Sequence, residues 1–140
     1  MVYDKILVTL DTTEADRTIL EHIKGLARLC HSKVVLLHVA DGWAARRYGA
    51  DAVSPEVTED RAYLARVQAE LQAEGLDVEA ELAYGDPVDE IVKWVEAKHC
   101  DLIAMSTHGH RHLADMFWGQ TANPVQHRVT VPVLMLKVKP

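Results

Sequence analysis

Apolar residues gather into five short runs along the chain. They are Ile6-Leu7-Val8, Val34 to Val39, Val78 to Tyr84, Leu102 to Met105 and Val131 to Val138. The second, fourth and fifth are almost continuous, the pattern of strands covered on both faces. The third alternates, with Val78, Ala80 and Leu82 set against Glu79 and Glu81. That is the pattern of an edge strand with one wet face. Between the runs the period changes to that of a helix. Ile19, Ile23, Leu26, Ala27 and Cys30 make one stripe, and Leu64, Val67 and Leu71 a second, with Gly75 placed as a C-cap. Val88, Ile91, Val92 and Val95 make a third, opened by Asp86 as cap and Pro87 in the first turn. A shorter fourth helix is predicted over residues 121–129, with Asn123-Pro124 read as its cap and first position. Strands alternating with helices call for an α/β fold, a parallel sheet with helices on both faces.

The segment 41–57 departs from this rhythm. It holds Gly42, Gly49 and Pro55, with Trp43, Arg46, Arg47 and Tyr48 among them. A connection of that length reads as a lid or as a surface for a protein partner.

Length and composition narrow the class. A chain of 140 residues is one domain, 1–140, large enough to bury a core without staples. The formal charge of −6 argues against a nucleic-acid partner, which would be met by a basic face. No run of apolar residues is long enough to span a membrane. Met1 to Lys5 enters a strand-like run at once, without the apolar core of a signal peptide, and the expectation is a cytoplasmic protein. Cys30 and Cys100 sit beside apolar segments without CxxC spacing and read as buried thiols.

Chemistry is expected beyond the carboxyl ends of the strands, where the strand order reverses. If the first and fourth strands are neighbours, two loops face each other there. One is Thr9-Leu10-Asp11-Thr12-Thr13. Asp11 is able to accept hydrogen bonds from a sugar or a base, or to serve the loop itself. The other runs from Ser106 through Thr107-His108-Gly109-His110-Arg111-His112 to Gly119-Gln120-Thr121. Gly109 permits a tight turn and close approach to a ligand. Amides at a helix start just after Gly119 would suit phosphate. Arg111 and the histidines supply positive charge, more of it toward pH 6. His108, His110 and His112 also alternate as zinc ligands do, which keeps a metal-dependent hydrolase among the readings. The P-loop, GxSxG and GxGxxG signatures are absent.

Several segments together resemble the universal stress protein family. They are Lys5-Ile6-Leu7-Val8 leading to Asp11, Val35-Leu36-Leu37-His38-Val39, Gly85-Asp86-Pro87, Asp101 to Gly109, and Val131-Pro132-Val133-Leu134. The likeness covers nearly the whole chain. It implies a Rossmann-like open sheet of five parallel strands in the order 3-2-1-4-5, and a homodimer through the last strand. The apolar run 131–138, placed at a sheet edge, supports that pairing independently. One branch of the family binds ATP through G-x-x-G-x9-G-[ST]. Here Ser106 stands at the first glycine, Gly109 and Gly119 keep the nine-residue spacing, and Gln120 takes the hydroxyl position with Thr121 after it. The resemblance places Asp11 and the backbone of Val39 beside adenosine. It places Gly109, His110, Arg111, Gly119, Gln120 and Thr121 toward the phosphates. Thr9 and Met105, at the ends of the first and fourth strands, complete the candidate set with Ser106. The ligand implied is ATP or another adenine nucleotide, with or without magnesium. The function implied is sensing or signalling in the stress response, with at most slow ATP hydrolysis. A nucleotide-free dimer that presents residues 41–57 to a protein partner is the alternative.

Overall fold

The computed structural model describes residues 2–40, 55–106 and 114–138, and for 114–120 the backbone alone. The elements follow in the order β1 (Lys5–Thr9), α1 (Asp16–Cys30), β2 (Lys33–Ala40), α2 (Pro55–Ala73), β3 (Asp77–Tyr84), α3 (Pro87–Ala97), β4 (Leu102–Ser106), α4 (Ala114–Arg128) and β5 (Val133–Leu136). All pairings are parallel and the sheet runs β3-β2-β1-β4-β5. This is the five-stranded Rossmann-like α/β architecture that the sequence pattern and the resemblance implied.

Side-chain alternation along the strands divides the core in two. Ile6, Val8, Val34, Leu36, Leu102 and Ala104 face α1 and α2, where they meet Ile19, Ile23, Leu64, Val67 and Leu71. Leu7, Val35, Leu37, Ile103 and Met105 face α3 and α4, where they meet Ile91, Val95, Ala122 and Val125. Strands β1, β2 and β4 are apolar on both sides because both sides are covered. The alternation in β3 reflects its place at the edge.

The lower end of the sheet is tied by Asp101. Its carboxylate accepts the amides of Asp4 and Lys5 at 2.8 and 3.1 Å, joining the start of β4 to the start of β1. Asp86 caps α3 as expected, accepting the Asp89 amide at 3.0 Å, and Gly75 closes α2 at φ +90°. Cys30 and Cys100 are both buried and free, and burial pushes the Cys100 thiol up to about 11. Trp94 packs against the α3–α4 side of the core, with Lys98 over its ring.

Three boundaries differ from the sequence reading. The expected loop 41–57 ends earlier, because Pro55 opens α2 and Val57 is buried beside Ala40. The last strand is Val133–Leu136, shorter than the apolar run 131–138. The fourth helix starts at Ala114, not at 121, and runs on through Pro124. Ala122 and Val125, both buried, anchor the helix on either side of that proline. Such packing outweighs a proline's cost of about 3 kcal/mol in a helix interior.

Candidate functional site

The chain winds outward from β1 through β2 to β3, then returns to add β4 and β5 on the other side of β1. The order therefore reverses between β1 and β4, and Val8 lies opposite Ala104 at that point. The crevice beyond these two strand ends is the position where open α/β sheets take ligands.

Thr9 ends β1, and its hydroxyl donates to the carbonyl of Ala104 at 3.4 Å. The amide of Leu10 then donates to Leu37 at 2.8 Å, extending β1 by one residue alongside β2. Asp11 follows in the turn after β1. One carboxylate oxygen, Oδ1, accepts the Thr13 hydroxyl at 2.8 Å. The other, Oδ2, is buried and has no hydrogen-bond partner among the described residues. A buried acceptor of this kind suits a ligand that brings a donor, such as a sugar hydroxyl or the amino group of a base.

The turn beneath Asp11 is held from below by Asp16, the first residue of α1. Asp16 is 2% exposed. Its two carboxylate oxygens accept the amides of Asp11 and Thr12, both at 3.0 Å. Tyr63 of α2 donates its hydroxyl to Asp16 Oδ2 at 2.6 Å. Burial raises the Asp16 carboxyl to about 7, the neighbouring Asp11 carboxylate adds to the rise, and the Tyr63 hydroxyl opposes it. Burial first, and then Asp16, push the Tyr63 phenol above its ordinary value. Thr12 stands at φ +63°, a left-handed conformation unusual for a β-branched residue.

His38, near the end of β2, faces the same turn. Its Nδ1 lies 2.8 Å from the carbonyl of Leu10, and its Nε2 lies 3.3 Å from Asp60 Oδ2 on α2. Burial raises the Asp60 carboxyl, and the His38 ring opposes that rise.

The expected site residues fall into three groups. Thr9 and Ser106 end β1 and β4 at the crevice, Asp11 follows two residues after Thr9, and Val39 is the last residue but one of the neighbouring β2. Met105 also ends β4, but its side chain is buried in the core against α3 and α4. Gly119, Gln120 and Thr121 lie within α4. Helix-start amides just after Gly119 are therefore not formed, because the helix begins five residues earlier. Gly109, His110 and Arg111 lie outside the described residues, as do His108 and His112 of the metal reading and the segment 41–54. Among the described residues no group of three or more His, Cys, Asp or Glu side chains is arranged to hold a metal. No helix among them is long and apolar enough to cross a membrane.

Four residues of the site region were not singled out from the sequence: Asp16, His38, Asp60 and Tyr63. Two carry a faint signal, a histidine within an apolar strand run and an aspartate at a helix start.

The Universal stress protein family model matches residues 2–137. The chain belongs to that family. A universal stress protein of Methanocaldococcus jannaschii is 27% identical, over 97% of this chain and 83% of the relative. The solved structure of hypothetical protein MJ0577 superposes with a TM-score of 0.82 at 29% identity, covering 100% of this chain and 99% of that one. A universal stress protein from Archaeoglobus fulgidus, solved in complex with dAMP, has a TM-score of 0.72 at 20% identity, covering 98% of this chain and 100% of that one. Another universal stress protein, solved in complex with cAMP, has a TM-score of 0.76 at 18% identity, covering 99% and 100%. At those two identities the likeness speaks for the fold of this universal stress protein, and the ligands belong to the neighbours.

Proposed function

We propose that this universal stress protein binds an adenine nucleotide at the β1–β4 crevice and acts as a sensor or signalling module in the stress response. One observation carries the reading: the buried, unpartnered Asp11 Oδ2 at the point where the strand order reverses. A donor-bearing ligand would satisfy such an atom, and adenosine offers donors on both base and ribose. Family neighbours solved with dAMP and with cAMP support the choice of adenine. The nucleotide would lie with adenosine against Asp11 and the backbone of Val39, and with its phosphates toward Gly109, His110 and Arg111. ATP with magnesium is the ligand to test first. Asp11 is the general-base candidate to test, and any hydrolysis would be slow beside binding. The dimer would form through residues 131–138, in the cytoplasm.

The test is a calorimetric titration of nucleotide-stripped protein with Mg-ATP, ADP and AMP. Micromolar binding is expected. Ser106→Trp, which fills the crevice beside β4, and Asp11→Ala should each abolish or strongly weaken it. No heat and no thermal shift up to millimolar nucleotide would overturn the reading. The nucleotide-free interaction protein would then take its place.

A further inference from the structure

Two polar bridges reach from α2 to the turn that carries Asp11. Asp60 and Tyr63 are one helical turn apart and share a face of α2. Asp60 meets His38 Nε2 at 3.3 Å, and His38 Nδ1 meets the Leu10 carbonyl at 2.8 Å. Tyr63 donates to Asp16 at 2.6 Å, and Asp16 accepts the amides of Asp11 and Thr12. The two bridges thus end on the backbone of three consecutive residues, 10, 11 and 12.

The first bridge requires an extra proton. A carbonyl oxygen only accepts, so Nδ1 of His38 carries hydrogen. Nε2 then faces a carboxylate oxygen that has no hydrogen-bond partner among the described residues. Lone pair against lone pair would repel. The contact holds when a proton lies on Nε2 or on Asp60. The second bridge holds a conformation that the chain resists. Thr12 at φ +63° holds a left-handed conformation that a residue with a side chain resists. Such a turn persists where its surroundings over-determine it. Here the Asp16 carboxylate takes both amides.

We propose that Asp60, His38, Tyr63 and Asp16 form a proton-holding clamp through which α2 sets the geometry of the Asp11 turn. In nucleotide binding they are positioning residues for the adenosine end of the site, an assignment that rests on the function proposed above. Among the described residues, the following groups face the clamp. Asp11 and Tyr63 face Asp16, with Arg66 behind the tyrosine ring at 5.2 Å. Asp60 faces His38, with Glu59 beside it. Without its extra proton the first bridge sets lone pair against lone pair, while Asp16 accepts its three hydrogen bonds as a carboxylate.

The test titrates adenosine, which carries no phosphate, into the unaltered chain and into Asp60→Ala, Asp60→Asn and Tyr63→Phe. Amide exchange of Asp11 and Thr12 is followed in the same four proteins, and circular dichroism confirms that each is folded. Asp60→Ala and Tyr63→Phe should weaken adenosine by about tenfold, and should speed exchange of the two amides by a similar factor. Asp60→Asn, whose amide donates to a neutral Nε2, should recover most of the loss. Folded Asp60→Ala and Tyr63→Phe proteins with unchanged affinity and unchanged exchange would overturn the clamp. If the unaltered chain binds neither adenosine nor nucleotide, the proposed function fails. The clamp then stands or falls on exchange alone, and unchanged exchange in the two variants overturns it.

Discussion

Asp16 shows how one side chain is divided between stability and site geometry. Its carboxyl is raised from 3.8 to about 7 in the folded chain. Below about pH 4 it is protonated whether the chain is folded or not. As the pH climbs toward 7 the unfolded chain gives up this proton and the folded chain keeps it. The folded state binds more protons, so this contribution to stability falls with rising pH and is lost through about pH 7. The size is on the order of a few kcal/mol at most. Denaturant titrations should show the unaltered chain losing stability between pH 5 and pH 8, with a shallower slope in Asp16→Asn. Equal slopes in the two proteins would remove Asp16 as the cause. Asp11 was visible in the sequence because an acidic residue after an apolar strand is a familiar arrangement. Tyr63 was not, because it meets Asp16 from 47 residues away. His38 reaches Leu10 across 28.

At the scale of elements, local chemistry and packing share control unequally. The start of α3 is a local matter. Asp86 accepts the Asp89 amide and Pro87 needs no partner for an amide it lacks. Asp86→Ala should cost about 1 kcal/mol, read as a fall in the thermal midpoint with the fold unchanged. An unshifted midpoint would mean that packing of Ile91, Val92 and Val95 alone sets that end. Helix α4 is the opposite case. Asn123-Pro124 has the look of a helix start, yet the helix passes through it. Pro124 has no amide for the carbonyl of Gln120, a local loss that the burial of Ala122 and Val125 offsets. The expected placement of phosphate-binding amides after Gly119 moved with that boundary.

For the whole molecule, the sheet has two open edges of different character. β3 alternates, with Glu79 and Glu81 turned to the ion pairs of Lys33 and Lys98. β5 is apolar from Val133 to Leu136 and each of its residues is partly exposed. An uncharged edge invites pairing, while a charged one discourages it. The proposed dimer therefore joins β5 edges. Sedimentation should give about twice the 15.6 kDa chain mass, and Val138→Glu should shift the population toward monomer. A monomer at tens of micromolar would overturn the dimer.

The sequence by itself determined the elements and their alternation, and the family resemblance supplied the strand order. Continuous apolar runs named β2 and β4 as covered strands, the alternating run named an edge, and helical stripes filled the gaps, while β5, also a continuous run, is partly exposed at the other edge. These are short-range patterns, and hydrophobic burial acts on them directly. The sequence also brought Asp11 into view as an acceptor. Only the tertiary structure decided what surrounds it. The β1–β4 pairing, the amides held by Asp16, and the approach of Asp60 and Tyr63 from α2 join residues that are far apart along the chain. Such contacts are set by how layers stack, and no local period records them. The same cause moved the start of α4: a proline speaks locally against a helix, and the core on either side of it prevails.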